Sequence, residues 1–243
     1  MRKGSILFIC LLLLLSLLLP LSTFADTQTE NLESRVLETF DPDTRTTDWL
    51  VVGSKFTSEG YPEQVYTKSW PEALYGANLE NKDYEVLGVH VKWDRKGYNN
   101  IEIIPVKKDD EGNVVPNPIP IPGMVKKLDL WVWCSRFNYY MDAHVRDSAG
   151  VVHVLRLGDL NSIGWKNFSV SFPGSIKQAG QHVPFLKSLE LVKFVIWTKP
   201  EENVNDFYVY LDQVKVLTDL FITRFDGDNL ANSKKVQEVW GGK

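Results

Sequence analysis

Residues 128–147 read LDLWVWCSRFNYYMDAHVRD. The first eight positions alternate with the two-residue period of a β-strand. Leu128, Leu130, Val132 and Cys134 fall on one face, and Trp131 and Trp133 fall on the other beside Asp129 and Ser135. The aliphatic face reads as the wall of a core. The indole-bearing face needs a cover of its own, and Tyr139 and Tyr140 follow close behind it. Three covers suit it: a further segment of the same chain, such as a proline-rich stretch or the C-terminal tail; another protein, since Trp and Tyr concentrate at interface anchors; or a sugar ring stacked on the indoles. Trp131, Trp133, Tyr139 and Tyr140 are therefore the candidate partner-binding residues.

Outward from this stretch, helical periodicity is scarce. Short runs rich in Val, Ile, Tyr, Phe and Trp recur between clusters of Gly, Pro, Asn and Asp, the pattern of an antiparallel sandwich or barrel. Strands are predicted at 36–40, 49–57, 85–93, 100–107, 125–135, 139–146, 151–157, 165–172, 189–198 and 207–217. In 85–93, Leu87, Val89, Val91 and Trp93 share one face, and Glu85, His90 and Lys92 lie on the other. KKDDEGNVV at 107–115 is a polar turn whose Gly112 and Asn113 tolerate positive φ. PNPIPIPG at 116–123 donates too few backbone hydrogens to sit inside a sheet, so it runs extended along an edge or crosses between sheets. The tail at 226–240, DGDNLANSKKVQEVW, reads as a short helix capped by Asn232 or Ser233, with Val236, Val239 and Trp240 on one face. It folds back or reaches a neighbouring molecule.

The N-terminus has the features of a secretory signal peptide: basic Arg2 and Lys3, an apolar run over 6–19, Pro20, and a small-x-small site at Thr23-Phe24-Ala25. The run is shorter than the roughly 20 residues of a membrane-spanning helix. Cleavage after Ala25 takes two of the 27 basic residues, leaving 25 against 31 acids, a mature charge of about −6. An acidic chain disfavours nucleic acid and anionic membrane as partners. The expected organisation is a leader at 1–25, one β-sandwich at 26–218 and a C-terminal extension at 219–243. Cys134 is the one cysteine past the leader, so no intrachain disulfide forms. It reads as a buried residue of the inner face, with a reactive thiol or an intermolecular bridge as alternatives.

No nucleophile elbow, phosphate loop, H-E-x-x-H pair or paired-cysteine metal site occurs. If residues 147–150 form a four-residue hairpin loop, Arg146 pairs with Val151 and His144 faces His153 across the strands, either as a polar surface pair or as half of a metal site. DGDN at 226–229 carries part of the oxygen spacing of a calcium loop without its later glutamate. Asn167-Phe168-Ser169 fits a glycosylation sequon. No pair of acids announces a glycoside hydrolase.

Two segments carry a fold-level resemblance. GWKNFSVSFPG at 164–174 and FYVYLDQVKV at 207–216 resemble the Trp-containing and closing strands of galactose-binding-like jelly rolls. In many carbohydrate-binding modules of that fold, an acid near the first strand and an acid in the closing strand share a structural calcium; Glu38 and Asp212 occupy the matching positions. The whole of 32–230 resembles more specifically the spirochaete flagellar filament outer layer proteins, the sheath proteins of periplasmic flagella. SRVLETFD at 34–41, the aromatic middle at 128–173 and YVYLDQVKVLTDLFITRFDGDNL at 208–230 carry that likeness. The resemblance implies an all-β jelly-roll sandwich with a short C-terminal helix, export to the periplasm, and a non-enzymatic coat subunit that affects filament stiffness or curvature and so motility. Its implied partners are flagellar core filament proteins, other sheath proteins and further copies of itself. A secreted glycan-binding module is the alternative.

Overall fold

A computed structural model of the chain describes residues 32–77, 83–178, 188–219, 230 and 233–241. The leader at 1–25, the DGDN turn and the capping candidate Asn232 lie outside the described residues. Thirteen strands occupy the rest: β1 (Leu32–Glu38), β2 (Asp48–Gly53), β3 (Glu63–Lys68), β4 (Glu85–Val91), β5 (Asn100–Lys108), β6 (Val114–Pro116), β7 (Ile119–Ile121), β8 (Met124–Ser135), β9 (Tyr140–Arg146), β10 (Val152–Asp159), β11 (Ile163–Ser171), β12 (Leu189–Trp197) and β13 (Phe207–Asp219). A helix spans Glu72–Tyr75 and a second spans Ser233–Trp240.

The strands form two antiparallel sheets stacked as a jelly-roll sandwich. The first runs β11-β8-β13-β4-β3, with β1 beside the second half of β13; the second runs β10-β9-β12-β5-β2, with β6 on β5 and β7 on β12. The long β13 is the spine of the first sheet: β8 flanks it along its length on one side, while β4 and β1 share the other. Alternation explains the layering. Leu128, Leu130, Val132 and Cys134 of β8 are all fully buried, as are Leu87 and Val91 of β4 and Val209, Leu211, Val214 and Val216 of β13. They meet Ile101, Ile103, Met141, Ala143, Val145, Phe194 and Ile196 from the second sheet in one continuous core. Cys134 packs there as a small apolar residue, and burial raises its thiol pKa.

The proline-rich stretch follows the backbone argument. Ile119–Ile121 adds a three-residue edge piece to β12, with Ile119 and Ile121 buried and Pro120 facing out. Strands β3, β6 and β7 go beyond those predicted. β3 is half-exposed and polar, so it lacks an apolar period. Its Gln64 side chain accepts from Val51 N–H (2.9 Å) and donates to Trp49 C=O (2.8 Å), so it satisfies backbone groups of β2, the outer strand of the other sheet.

The hairpin between β9 and β10 differs from expectation by one residue. Arg146 pairs with Val152, His144 with Val154 and His153 with Val145. The cause is Asp147. Its Oδ1 accepts the N–H groups of Ala149 and Val151, both at 2.9 Å, and Gly150 takes φ 89° to close a five-residue loop. A one-residue slip moves side chains to opposite faces, so the two histidines do not meet. His153 donates instead to Asp147 Oδ2 at 2.8 Å, and His144 lies beside Lys193 of β12.

Glu38 ties the first corner together. Its fully buried carboxylate accepts from Thr39 N–H and Phe40 N–H (both 2.9 Å), from Thr46 N–H (3.3 Å) and Oγ1 (3.0 Å), and from Trp49 Nε1 (3.3 Å). These five donors hold Phe40 (φ 64°) and Trp49 against one another and Trp49 against Phe194 across the core. Placed by resemblance as a calcium ligand, Glu38 spends its lone pairs on protein donors. Glu38→Ala leaves buried donors unpaired, each at a cost of about 1–3 kcal/mol. The expected outcome in urea unfolding is a loss of at least about 3 kcal/mol, equal in EDTA and in calcium.

Candidate functional site

The strand registers line up side chains in rows across the solvent face of the first sheet. The central row runs from β3 to β11 as Val65, Gly88, Tyr210, Trp133 and Trp165. On one side of it lie Glu63, His90 and Tyr208; on the other lie Asp212, Trp131 and Asn167. This is the face opposite the aliphatic wall of β8, and it gathers aromatic groups from four strands.

Gly88 shapes the row. A Cβ there would stand 2.7–2.8 Å from the Tyr210 ring, so only glycine lets that ring lie on the neighbouring strand. Trp133 meets Tyr210 edge to face at 5.5 Å and 80°. Around Gly88 a hollow of about 390 Å³ opens, lined by Glu63, Val65, His90, Tyr208 and Tyr210. His90 stacks on Tyr208 (4.1 Å, 11°) and meets the edge of Tyr61 (5.0 Å, 87°). Its Nδ1 lies 3.0 Å from Glu63 and its Nε2 3.6 Å from Asp206.

The other end of the row has a cover. Lys68, Ser69, Trp70, Glu72 and Ala73, at the end of β3 and just after it, share a hollow of about 540 Å³ with Trp165 on the far side of the sheet. The chain after β3 therefore crosses the solvent face. Among the described residues this cover is the segment after β3, which the sequence had not pointed to. Beneath it lie buried polar atoms without partners among the described residues: Trp131 Nε1 and Asp212 Oδ1. Asp212 is 2% exposed and precedes Gln213, whose φ of 49° marks a β-bulge. Burial, reinforced by the charge of Asp41, pushes the Asp212 carboxyl up to about 8. Burial and then the Asp212 charge raise the Tyr75 hydroxyl in turn. Among the described residues no group of three or more His, Cys, Asp or Glu side chains could hold a metal ion.

The four aromatic residues singled out in the sequence end in three places. Trp131 and Trp133 share the half-buried outer face just described. Tyr139 does not belong to a surface. It is fully buried, its hydroxyl donates to Asn203 C=O, and its ring packs against Trp93 and Phe207. Arg136, with φ 67°, and the loop that follows it shift the phase and turn Tyr139 inward. Tyr140 emerges on the solvent face of the second sheet, stacked with Trp197 (6.5 Å, 22°) and capped by Arg156 at 3.7 Å, which also donates to the buried Asp142 at 2.6 Å. Trp165, Tyr210, Tyr208 and Gly88 were not singled out. The signal was present as alternation in 163–171 and 207–213, but the shared row exists only once registers are known.

The family model for FlaA, Flagellar filament outer layer protein Flaa, matches residues 34–226. A flagellar filament outer layer-like protein of Brachyspira hyodysenteriae is 27% identical over 155 residues, covering 64% of this chain and 67% of that one. Among solved structures, the family 11 carbohydrate-binding module from Clostridium thermocellum in complex with a beta-1,3-1,4-mixed-linked tetrasaccharide is 10% identical, with 77% of this chain and 96% of that chain covered at a TM-score of 0.41. A family 29 carbohydrate-binding module from Piromyces equi is also 10% identical, with 80% and 96% covered at a TM-score of 0.37. At those scores the two modules carry no argument about ligands.

The Asp212 shift has a definite sign. A carboxyl whose folded pKa of about 8 exceeds its unfolded value binds more protons in the folded chain between those pKa values. Stability then falls as pH rises from about 4 to 8, by at most roughly 1.4 kcal/mol per unit. Asp212→Asn removes this slope. Urea unfolding at a series of pH values is expected to show a flatter profile for the variant over that window, with its largest gain over wild type at the alkaline end.

Proposed function

The chain belongs to the flagellar filament outer layer protein family, and we propose that it is a coat subunit of the periplasmic flagellar filament. The observation that carries this reading is the aromatic row Val65–Gly88–Tyr210–Trp133–Trp165 on the solvent face of a sheet whose other face is already a complete core. A row of partly exposed rings on a rigid sheet is a docking surface: rings lose little rotamer freedom on binding and bury much area. The leader at 1–25 delivers the chain to the periplasm. The sandwich then flanks the filament core, touching core proteins and other sheath proteins, and alters stiffness or curvature by binding rather than by chemistry.

The test is fractionation. The protein is expected in purified periplasmic flagella by mass spectrometry, and its deletion is expected to change filament curvature and swimming. Trp165→Ala, at a half-exposed edge position, is expected to lower the filament-bound fraction about tenfold while the soluble chain keeps its fold. A protein absent from filaments and a deletion strain with normal motility would remove the reading.

One observation favours a second reading as a glycan-binding module. Trp197, Tyr140 and Arg156 form a stack on the solvent face of the second sheet beside Asp142 and the Lys193–Glu102 pair at 2.6 Å. This reading predicts millimolar or tighter binding of soluble oligosaccharides in isothermal titration, lost in Trp197→Ala. A flat titration would dismiss it.

A further inference from the structure

We propose that the hollow between Trp70 and Trp165 is a socket for an arginine side chain of a partner protein. It encloses about 540 Å³ where the chain after β3 meets β11, at the far edge of the first sheet. Both indoles are half-buried. Trp70 Nε1 donates to Gly76 C=O at 2.9 Å, within its own loop. That bond ties the ring down and uses its one polar group, so what Trp70 offers a guest is ring surface. Two indoles on one hollow suit a flat or cationic guest, drawn to the negative faces of the rings.

The charges on the lining choose between guests. Lys68 and Glu72 both belong to it. Lys68 is already paired with Asp83. The exposed Glu72 carboxylate has no ion pair or hydrogen bond among the described residues. The unanswered charge is therefore negative and calls for a cation. The chain as a whole is acidic, which favours approach of a basic surface. A guanidinium is planar, so it can lie on an indole and donate to a carboxylate at once, whereas an ammonium is a point charge without a flat face.

The chain itself twice holds an arginine in this way. Arg156 lies 3.7 Å from the Tyr140 ring centroid and donates to Asp142 at 2.6 Å. Arg45 lies 3.8 Å from the Tyr66 ring centroid with Glu85 at 3.9 Å. In each, one ring and one carboxylate hold one guanidinium. Trp70, Trp165 and Glu72 repeat that set, and among the described residues no arginine of this chain fills it. The occupant therefore comes from another molecule. Trp165 is also the last member of the aromatic row, so the socket continues the docking surface already described. This deepens the coat reading, on which the identity of the partner rests, by giving one of its contacts a chemistry.

The experiment titrates the full mature chain, nitrogen-labelled at tryptophan, with three capped tripeptides whose central residue is arginine, lysine or citrulline. The indole signals are read by NMR and assigned with Trp70→Phe and Trp165→Phe. The arginine peptide is expected to shift the signals of Trp70 and Trp165 and to leave that of Trp197 in place. Citrulline has the same shape without the charge and is expected to bind about tenfold more weakly. Lysine is expected to fall between them. Glu72→Gln, at an exposed position and checked for folding by circular dichroism, is expected to weaken the arginine peptide about fivefold or more and to leave the citrulline peptide unchanged. No shift of either indole at tens of millimolar peptide, equal binding of arginine and citrulline, or an arginine affinity untouched by Glu72→Gln would each overturn the proposal. The titration reads the soluble chain alone, so its failure leaves the filament fractionation result as it stands, and a protein absent from filaments leaves the titration result as it stands.

Discussion

The fold rests on the two-residue period of β8, held between β13 and β11. Every second side chain from Leu128 to Cys134 is sealed in the core, and the intervening Asp129, Trp131, Trp133 and Ser135 are driven to the other face. A one-residue slip of this strand would push two indoles into a core shaped for aliphatic groups and expose four apolar side chains. Burying them is worth about 1.5–3 kcal/mol for each large aliphatic side chain, so the register is strongly specified. Because β13 pairs with β8 along most of its length, the same constraint sets Tyr210 beside Trp133 and Asp212 beside Trp131.

The outer face is thus a consequence of the inner one. Once the registers are fixed, Gly88 of β4 lies opposite Tyr210, and the space left by its missing side chain takes the Tyr210 ring. The chain after β3 crosses the same face and leaves the two sides of the sheet unlike: Trp165 shares a hollow with that crossing segment, while Val65, Tyr208 and His90 surround an open one. Beneath the crossing, Asp212 is kept from water without a partner for one oxygen among the described residues, and its carboxyl responds by holding its proton to higher pH.

Much of the fold was legible from residue pattern. The alternations in β4 and β8 placed their core faces, and the backbone chemistry of PNPIPIPG kept it out of a sheet interior. What escaped had physical causes. β3, EQVYTK, is a half-exposed outer strand whose side chains carry no strong apolar period. The β9–β10 hairpin was read with four loop residues, but Asp147 uses its carboxylate to hold the amides of Ala149 and Val151 and makes the loop five. Tyr139 and Tyr140 looked like one aromatic pair; they belong to a core and to the opposite surface, since adjacent residues at a strand's start face opposite ways.

The sequence by itself determined the layering of this protein, because burial of a period-two pattern depends only on which residues are apolar and where the chain must turn. It determined the family as well, since the order of these segments spans most of the chain. The aromatic row on the outer face was decided by tertiary structure alone. Val65, Gly88, Tyr210, Trp133 and Trp165 come from five strands, and the pair Gly88 and Tyr210 alone spans 122 residues (210 − 88); the side chains of a sheet meet across strands, where neighbours are chosen by register rather than by position in the chain.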